Sequence, residues 1–207
     1  MILSLFLVVA YLIGSVPFAV LVSRAFGLAD PRSFGSGNPG ATNVLRSGNK
    51  KAALLTLFGD AAKGALAVVL ARAFGPQWFD AATLPLVVAL AGLTAFVGHV
   101  FPVFLGFKGG KGVATMGGAC IALQPIIFVV LTLVWVAVRK LSGKASLASL
   151  MLTFGFPLGV FLLGGPGWEI ATAGALGALV LLRHLDNIKR LASGRELSAS
   201  RKSQPAE

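Results

Sequence analysis

Long apolar segments alternate with short polar ones along almost the whole chain. A helix that crosses the hydrocarbon core of a bilayer takes about 20 residues, and the apolar segments have about that length. The segments that each predict one spanning helix are residues 2–25, 52–70, 81–97, 146–163 and 168–182. The pattern therefore predicts an all-α integral membrane protein.

A further apolar segment, residues 113–138, carries no charge and would suit one tilted helix. A single crossing would place Arg139, Lys140 and the basic stretch after Leu182 on the side opposite to the other cations, which the positive-inside rule disfavours. Pro125 lies near the middle of the segment, and proline removes a helix hydrogen bond and clashes with the preceding turn. We therefore predict two short helices here, as a hairpin or a re-entrant pair.

The resulting topology has about seven transmembrane or half-spanning helices, and it places all Lys and Arg residues except Lys63 and Arg72 on one side. The first segment lacks the charged n-region of a secretory signal, so we expect a retained helix that starts outside. The N-terminus is then outside and the C-terminus in the cytoplasm. Residues 1–196 are predicted to form a single domain, and residues 197–207 a polar, disordered cytoplasmic tail.

Composition agrees with a membrane protein and excludes several classes of function. Hydrophobic residues make up 56% of the chain and charged residues only 12%, against about 25% charge in soluble domains. The net charge of +11 would suggest nucleic acid in a soluble protein, but here the cations lie in short loops between spans. With two histidines, one cysteine and seven carboxylates, we predict no metal site, no cofactor and no nucleic-acid partner.

The first polar loop, residues 35–46 (GSGNPGATNVLR), is suited to hold an anion. Glycines let backbone N–H groups approach a ligand, and a helix beginning near Thr42 would add free N–H groups. Gly35, Gly37 and Gly40 have the G-x-G-x-x-G spacing, but a dinucleotide-binding fold needs a strand before it, and an apolar span precedes this one. The candidate phosphate ligands here are Ser36, Gly37, Asn38, Thr42, Asn43 and Arg46.

The second polar loop, residues 98–112 (GHVFPVFLGFKGGKG), places two lysines around a glycine pair directly before a helix. Lys108 and Lys111, with the backbone of Gly109 and Gly110, would form a phosphate cradle at the helix N-terminus. An interfacial turn whose lysines face lipid headgroups is the alternative. Both interpretations stay open on this loop alone.

The third polar stretch, residues 183–196 (RHLDNIKRLASGRE), follows the last span and ends at Glu196. It has the pattern of an amphipathic juxtamembrane helix. His184 and Asn187 are three residues apart, so they would share one helical face. Ser142 and Ser146 lie around Lys144 at the start of another span, and we interpret one of them as the cap of the next helix.

Charged residues also occur within the spans. Asp60 and Lys63 would share one helical face; such charges are costly in a membrane and are normally paired, so we predict a structural pair near the site. His99, at a helix end, is a candidate general base because imidazole titrates near neutral pH. A hydrogen-bonded structural role is the more common one for a lone histidine.

Taken together, the three polar stretches resemble the three cytoplasmic motifs of the bacterial membrane acyl-phosphate:glycerol-3-phosphate acyltransferases, and the hydropathy layout agrees over residues 2–196. The resemblance implies transfer of a fatty acyl group from acyl phosphate to the sn-1 hydroxyl of glycerol 3-phosphate. The products would be lysophosphatidic acid and phosphate, in the first acylation step of phospholipid biosynthesis. It also implies a location in the bacterial inner membrane, with acyl phosphate, glycerol 3-phosphate and membrane lipid as partners; it predicts no oligomeric state.

Under this resemblance the hydroxyl attacks the acyl carbonyl directly. The general base would be His184, His99 or a substrate phosphate, and these alternatives stay open. The candidate catalytic residues are His184, Asn187, Lys108, Lys111 and His99. The candidate phosphate-binding residues are Ser36, Gly37, Asn38, Thr42, Asn43, Arg46, Gly109, Gly110, Ser146 and Glu196.

Other classes of function fit the sequence less well. The H-x-x-x-x-D motif of CoA-dependent acyltransferases is missing, since neither His99 nor His184 has an aspartate five residues later. A carrier for an organic phosphate should place its site near the bilayer midplane, where only Asp60 and Lys63 are expected. A lipid-binding scaffold would explain the basic loops but not the spacing of their glycine, asparagine and histidine residues.

Overall fold

A computed structural model describes residues 1–198 of the chain, and this part is all-helical. Its ten α-helices are α1 (Ile2–Ser15), α2 (Phe18–Ala25), α3 (Ala41–Leu45), α4 (Lys50–Phe74), α5 (Leu84–Val100), α6 (Val113–Leu123), α7 (Pro125–Ser142), α8 (Ala145–Leu162), α9 (Gly167–Arg183) and α10 (Leu185–Ala192). Three-residue 3-10 turns follow α4 and α5. The predicted helical class is confirmed. Of the tail predicted at residues 197–207, the part from residue 199 onward lies outside the described residues.

Within the described chain, five helical segments are long and apolar enough to cross a membrane. They are Ile2–Ala25, Lys50–Gln77, Leu84–Leu105, Pro125–Ser142 and Ala145–Leu162. The two other helices of the predicted set are shorter: α6 has 11 residues and α9 has 17. The predicted order of helical elements therefore agrees with the structure, although two of the elements fall short of the usual spanning length.

The first apolar segment is two helices and not the one that we predicted. Pro17 lacks an N–H group and separates α1 from α2, and Val16 has an extended ψ of 119°. The Val16 carbonyl group, released from regular helix bonding, accepts hydrogen bonds from the Phe18 N–H (3.1 Å) and from Lys63 Nζ (2.8 Å). The break thus creates a polar backbone site that Lys63 of α4 satisfies.

The segment at residues 113–138 does break into two helices at Gln124 and Pro125, as predicted. Only α6 is short, however; α7 has 18 residues and is about 27 Å long at about 1.5 Å per residue. It continues through the basic residues to Ser142. The guanidinium group of Arg139 lies 5.6 Å from the centre of the Trp135 ring, a cation–π contact that keeps the charge against its own helix.

Small residues allow the helices to approach closely, as is common in membrane bundles. A side chain on Gly118 of α6 would lie 1.8 Å from the Ala61 carbonyl oxygen of α4, and one on Gly14 of α1 would lie 2.0 Å from the Ala95 carbonyl oxygen of α5. The first contact packs α6 against α4, and the second packs α1 against α5. Asp60 of α4 in turn lies against His99 near the end of α5.

Helix α6 covers nearly the same depth of the bundle as the longer helix α9. At one end, Arg183 of α9 bonds the loop before α6, with 2.9 Å from Nη2 to the Gly109 carbonyl oxygen. At the other end, Gln124 Nε2 donates to Glu169 Oε1 at 2.5 Å. The loop before α6 and the segment after α9 therefore meet at the same end of the bundle.

Candidate functional site

Glu196 is the centre of a network that joins the second and third polar stretches. Its Oε1 atom accepts hydrogen bonds from Asn187 Nδ2 (2.6 Å) and Ser146 Oγ (2.7 Å), and its Oε2 atom accepts one from Arg190 Nε (2.8 Å). Lys111 Nζ in turn donates to Asn187 Oδ1. The candidate residues Lys111, Ser146, Asn187 and Glu196 thus lie in one connected cluster.

The carboxylate at the centre of this network is 3% exposed. Burial alone would raise the pKa of Glu196, but the hydrogen bonds from Ser146, Asn187 and Arg190 hold that pKa below its ordinary value. The ionised carboxylate can only accept hydrogen bonds, which matches its three donors. Glu196 therefore fixes the orientation of the Asn187 amide.

Neither Ser142 nor Ser146 caps α8, so that interpretation was wrong. The N-cap residue of α8 is Lys144, and no side chain accepts a hydrogen bond there. Ser146 lies in the first turn of α8, is buried, and its hydroxyl reaches Glu196 instead.

Asn43 organises the first polar loop. Its Oδ1 atom accepts from the Ser36 N–H (3.0 Å) and from Arg46 Nη1 (3.2 Å). Its Nδ2 atom donates to the carbonyl oxygens of Pro31 (2.6 Å) and Phe34 (3.0 Å). Two donors and two acceptor positions are the full capacity of an amide side chain, so Asn43 is occupied within the loop and positions Arg46.

Arg46 is a buried cation that the described residues surround with neutral acceptors. Its Nη1 atom donates to Ser36 Oγ (3.3 Å) and to the Asn43 amide, and its Nε atom donates to the Ser198 carbonyl oxygen (3.4 Å). Burial lowers the pKa of Arg46 and the nearby Glu196 carboxylate opposes this, but a guanidinium group stays charged in proteins. A buried charge with neutral partners favours the binding of an anion.

The other candidates of the first loop lie around the same turn. Gly37 has a φ of +66°, which glycine adopts readily, and its N–H donates to the Phe34 carbonyl oxygen at 2.9 Å. Asn38 and Thr42 are half-buried. Thr42 is the second residue of α3, so the helix predicted to begin near it is confirmed.

The glycine pair of the second loop docks on the end of α5. The N–H groups of Gly109 and Gly110 donate to the carbonyl oxygens of Val100 (3.1 Å) and His99 (3.2 Å). A side chain on Gly110 would lie 2.2 Å from His99 Nε2, so only glycine permits this approach. Both N–H groups bond protein atoms in this structure, and a phosphate contact from them stays a prediction.

Arg183 is a residue of this site that the sequence analysis missed. Its Nη2 and Nε atoms donate to the carbonyl oxygens of Gly109 (2.9 Å) and Gly110 (3.2 Å). The available signal was an arginine at the end of the last span, directly before His184 in the third polar stretch. Arg183 closes the side of the glycine pair that faces away from α5.

The two lysines of the second loop differ in environment. Lys108 is exposed, whereas Lys111 is half-buried. The pKa of Lys111 is lowered to about 8, mainly by burial and to a smaller extent by the charge of Arg190, while the Glu196 carboxylate opposes the shift. Lys111 is therefore mainly an ammonium ion at pH 7, and it loses its proton over a range in which an ordinary lysine stays charged.

His184 is a buried and neutral imidazole. Its Nδ1 atom lies 2.8 Å from the Val180 carbonyl oxygen, which can only accept, so Nδ1 carries the proton and Nε2 is an acceptor. The pKa of His184 is lowered to about 4, mainly by burial and to a smaller extent by the charge of Lys111. At neutral pH the ring can accept a hydrogen bond from a hydroxyl group.

The predicted pair of Asp60 and Lys63 is confirmed, and His99 joins it. Asp60 Oδ1 lies 2.9 Å from Lys63 Nζ and 3.4 Å from His99 Nδ1. All three side chains are at most 6% exposed. His99 thus faces Asp60 on one side and Gly110 on the other, behind the glycine pair.

The fold and these contacts define an all-helical integral membrane protein with a cationic site, in which the second and third polar stretches share one network and Arg46 of the first interacts electrostatically with Glu196. A family model described as glycerol-3-phosphate acyltransferase matches residues 4–194. The chain belongs to this family, and the resemblance of its three motifs is confirmed.

Similar proteins cover the chain almost completely. A glycerol-3-phosphate acyltransferase of Laribacter hongkongensis is 52% identical over 190 residues, which is 92% of each chain. One of Bordetella pertussis is 49% identical over 204 residues, covering 96% of this chain and 93% of the relative. The crystal structure of PlsY (YgiH), an integral membrane glycerol 3-phosphate acyltransferase, in its glycerol 3-phosphate form superposes with a TM-score of 0.86 at 38% identity and covers 96% of each chain.

Proposed function

We propose that this protein transfers a fatty acyl group from acyl phosphate to the sn-1 hydroxyl of glycerol 3-phosphate, the first acylation of phospholipid biosynthesis. The observation that carries the proposal is that two desolvated cations, Arg46 and Lys111, lie close enough to interact electrostatically, and that Lys111 interacts in the same way with the neutral imidazole of His184. Each cation has neutral hydrogen-bond partners among the described residues. The solved relative was crystallised in a glycerol 3-phosphate form and a lysophosphatidic acid form, which supports this acceptor and this product.

The chemistry of the site favours acyl phosphate as the donor. Both substrates then carry a phosphate group, and the site offers a separate cation for each. An acyl phosphate is already activated, so the reaction needs no covalent intermediate on the protein. What it needs is orientation of the hydroxyl and neutralisation of the departing phosphate.

In the proposed step the hydroxyl oxygen forms a bond to the acyl carbonyl carbon, and the bond from that carbon to the phosphate oxygen breaks. Lys111, with Lys108, stabilises the departing phosphate, and Gly109 and Gly110, whose N–H groups bond the carbonyl oxygens of Val100 and His99, set the path of the backbone to Lys111. Arg46, positioned by Asn43, binds the phosphate of glycerol 3-phosphate. The side chains and backbone that line its loop complete this second subsite: Ser36, Gly37, Asn38 and Thr42.

The proton of the hydroxyl must move to a base as the new ester bond forms. With a pKa of about 4, His184 is a weak base, and it serves better as an acceptor that orients the hydroxyl together with Asn187. A phosphate group, whose second pKa is about 6, is better matched to neutral pH. We therefore assign the proton to a substrate phosphate, with His99 outside the reacting atoms because it lies behind the glycine pair. Ser146 and Glu196 act by holding Asn187.

We further propose that residues 1–196 form one catalytic domain in the bacterial inner membrane. The end of the bundle that carries the site would face the cytoplasm, with the N-terminus outside. The excess of cations in the loops at that end supports this orientation.

The test is phosphate release by the purified protein given palmitoyl phosphate, with and without glycerol 3-phosphate, in metal-free buffer. We expect release that depends on glycerol 3-phosphate, together with an equal amount of lysophosphatidic acid acylated at the sn-1 position. A folded sample that releases no phosphate, or releases it without acylated product, would contradict the proposal.

The lowered pKa of Lys111 predicts an alkaline limit of activity. The active form is the ammonium ion, so kcat/KM should fall as the pH rises through about 8, where half of the lysine has lost its proton. In the Lys111→Arg variant the guanidinium group does not titrate in this range, so the fall should vanish while the rate at pH 7 drops. The measurement is a pH profile of kcat/KM from pH 6 to 9.5 for both proteins; an identical alkaline fall in the variant would assign it to another group.

A further inference from the structure

Resting on the function proposed above, we infer that the buried Asp60–Lys63 pair is a positioning device for the reaction, which fixes the loop carrying Lys111 by way of His99. Nothing in the reaction requires these two charges to touch substrate. Their contacts form a chain from the break between α1 and α2, through α4 and α5, to the glycine pair before Lys111.

The first link of the chain is at the helix break. Lys63 Nζ donates to the Val16 carbonyl oxygen at 2.8 Å and forms the ion pair with Asp60 at 2.9 Å. Burying two charges inside a span is costly. Hydrophobic residues would pack there at lower cost, so the pair is expected to serve the function of the protein. Lys63 ties the α1–α2 corner to α4, and thereby fixes where the Asp60 carboxylate lies.

The second link is His99. Its Nδ1 atom lies 3.4 Å from Asp60 Oδ1, which sets the orientation of the ring about its own side chain. The opposite edge of the ring is then the surface on which Gly110 lies, and the His99 carbonyl oxygen receives the Gly110 N–H at 3.2 Å. One residue therefore contacts the glycine pair with both its ring and its backbone.

The third link is the glycine pair itself, which is held by hydrogen bonds on two sides. His99 and Val100 bond its N–H groups, and Arg183 bonds both its carbonyl oxygens. Lys111 is the next residue, so these hydrogen bonds set the direction in which its side chain leaves the backbone. A misplacement of about 1 Å is enough to lower a rate strongly when a charge must meet a departing group.

The test uses a variant that removes both charges together, D60N/K63M, because removing one alone would leave its partner buried and unpaired. The readout is hydrogen–deuterium exchange of the substrate-free protein in detergent, followed on a peptide that covers residues 106–112. We expect the amides of Gly109 and Gly110 to exchange about 10-fold faster or more. A peptide that covers residues 35–46 should be unchanged, since Asn43 holds that loop independently.

Kinetics of the same variant should show a drop in kcat/KM of about 10-fold or more, with the fall mainly in kcat because Lys111 acts on the departing group. The matched control is Lys51→Met, which removes an exposed lysine from the same helix; it should leave both the exchange and the kinetics as in the wild type. A second variant, Gly110→Ala, keeps the charges and pushes the loop off His99, so it should reproduce both changes even if D60N/K63M does not fold.

Unchanged exchange of Gly109 and Gly110 in a folded D60N/K63M protein would overturn the inference. Faster exchange without a fall in kcat/KM would overturn it as well, because a fixed conformation of the loop that carries Lys111 would then not be needed for the reaction. A wild-type protein that transfers no acyl group would instead remove the proposed function, and the exchange data, taken without substrate, would still report whether the pair fixes the loop.

Discussion

Replacing Lys111 with methionine is expected to lower kcat/KM by about 10³-fold or more, at an unchanged melting temperature in detergent. Methionine keeps most of the length and apolar surface of the lysine side chain but removes its charge. Loss of one neutral donor to a developing anion costs about 10²–10³ in rate, and a half-buried ammonium group facing a departing phosphate should contribute more. The measurement is the steady-state rate of phosphate release at a series of acyl phosphate concentrations and saturating glycerol 3-phosphate, which gives kcat/KM for acyl phosphate.

The fold of the variant needs its own check, because Lys111 donates to Asn187 in the network around Glu196. A thermal unfolding curve serves for this, with Lys51→Met as the control for loss of one positive charge. Lys108→Met should lose less activity, since Lys108 is exposed and its charge is screened by water. Equal losses for the two lysine variants would mean that the leaving phosphate interacts with the loop as a whole and not with Lys111 in particular.

The contrast between the two prolines shows what the sequence could predict of the fold. Both Pro17 and Pro125 break an apolar segment by the same local mechanism. The break at Pro125 was predicted because the distribution of cations demanded an extra crossing, whereas at residues 2–25 a single helix already satisfied the topology. Pro17 leaves the Val16 carbonyl group without a regular helix hydrogen bond, and the side chain that bonds it, Lys63, lies 47 residues further along the chain. No local feature of the sequence indicates this contact.

The sequence supplied candidate residues for the site but not their contacts. Asn43 and Arg46 were both assigned to phosphate from their type and loop. In the structure, one fills its hydrogen-bonding capacity within the loop and the other has only neutral partners among the described residues. Which of two polar neighbours faces inward depends on the path of the backbone around them. The same is true of His99, whose partner Asp60 lies on another helix.

Replacing Arg46 with methionine is expected to raise KM for glycerol 3-phosphate by about 10²-fold or more, with a smaller effect on kcat. The physical reason is the loss of a desolvated, charged partner for a phosphate dianion, which gives up charge-assisted hydrogen bonds. Arg46→Lys should recover only part of the loss, because an ammonium group cannot reproduce the planar fork of guanidinium. Arg24→Met, which removes an exposed arginine from α2, is the matched control and should leave KM unchanged.

The kinetic signature separates the two phosphate subsites from each other. If Arg46 binds the acceptor and Lys111 the donor, the Arg46 variant should be rescued by high glycerol 3-phosphate and not by high acyl phosphate. The Lys111 variant should be rescued by neither, since its loss lies in the departure of the phosphate and not in ground-state binding. Rescue of the Arg46 variant by acyl phosphate alone would reverse the assignment of the two subsites while leaving the reaction itself intact.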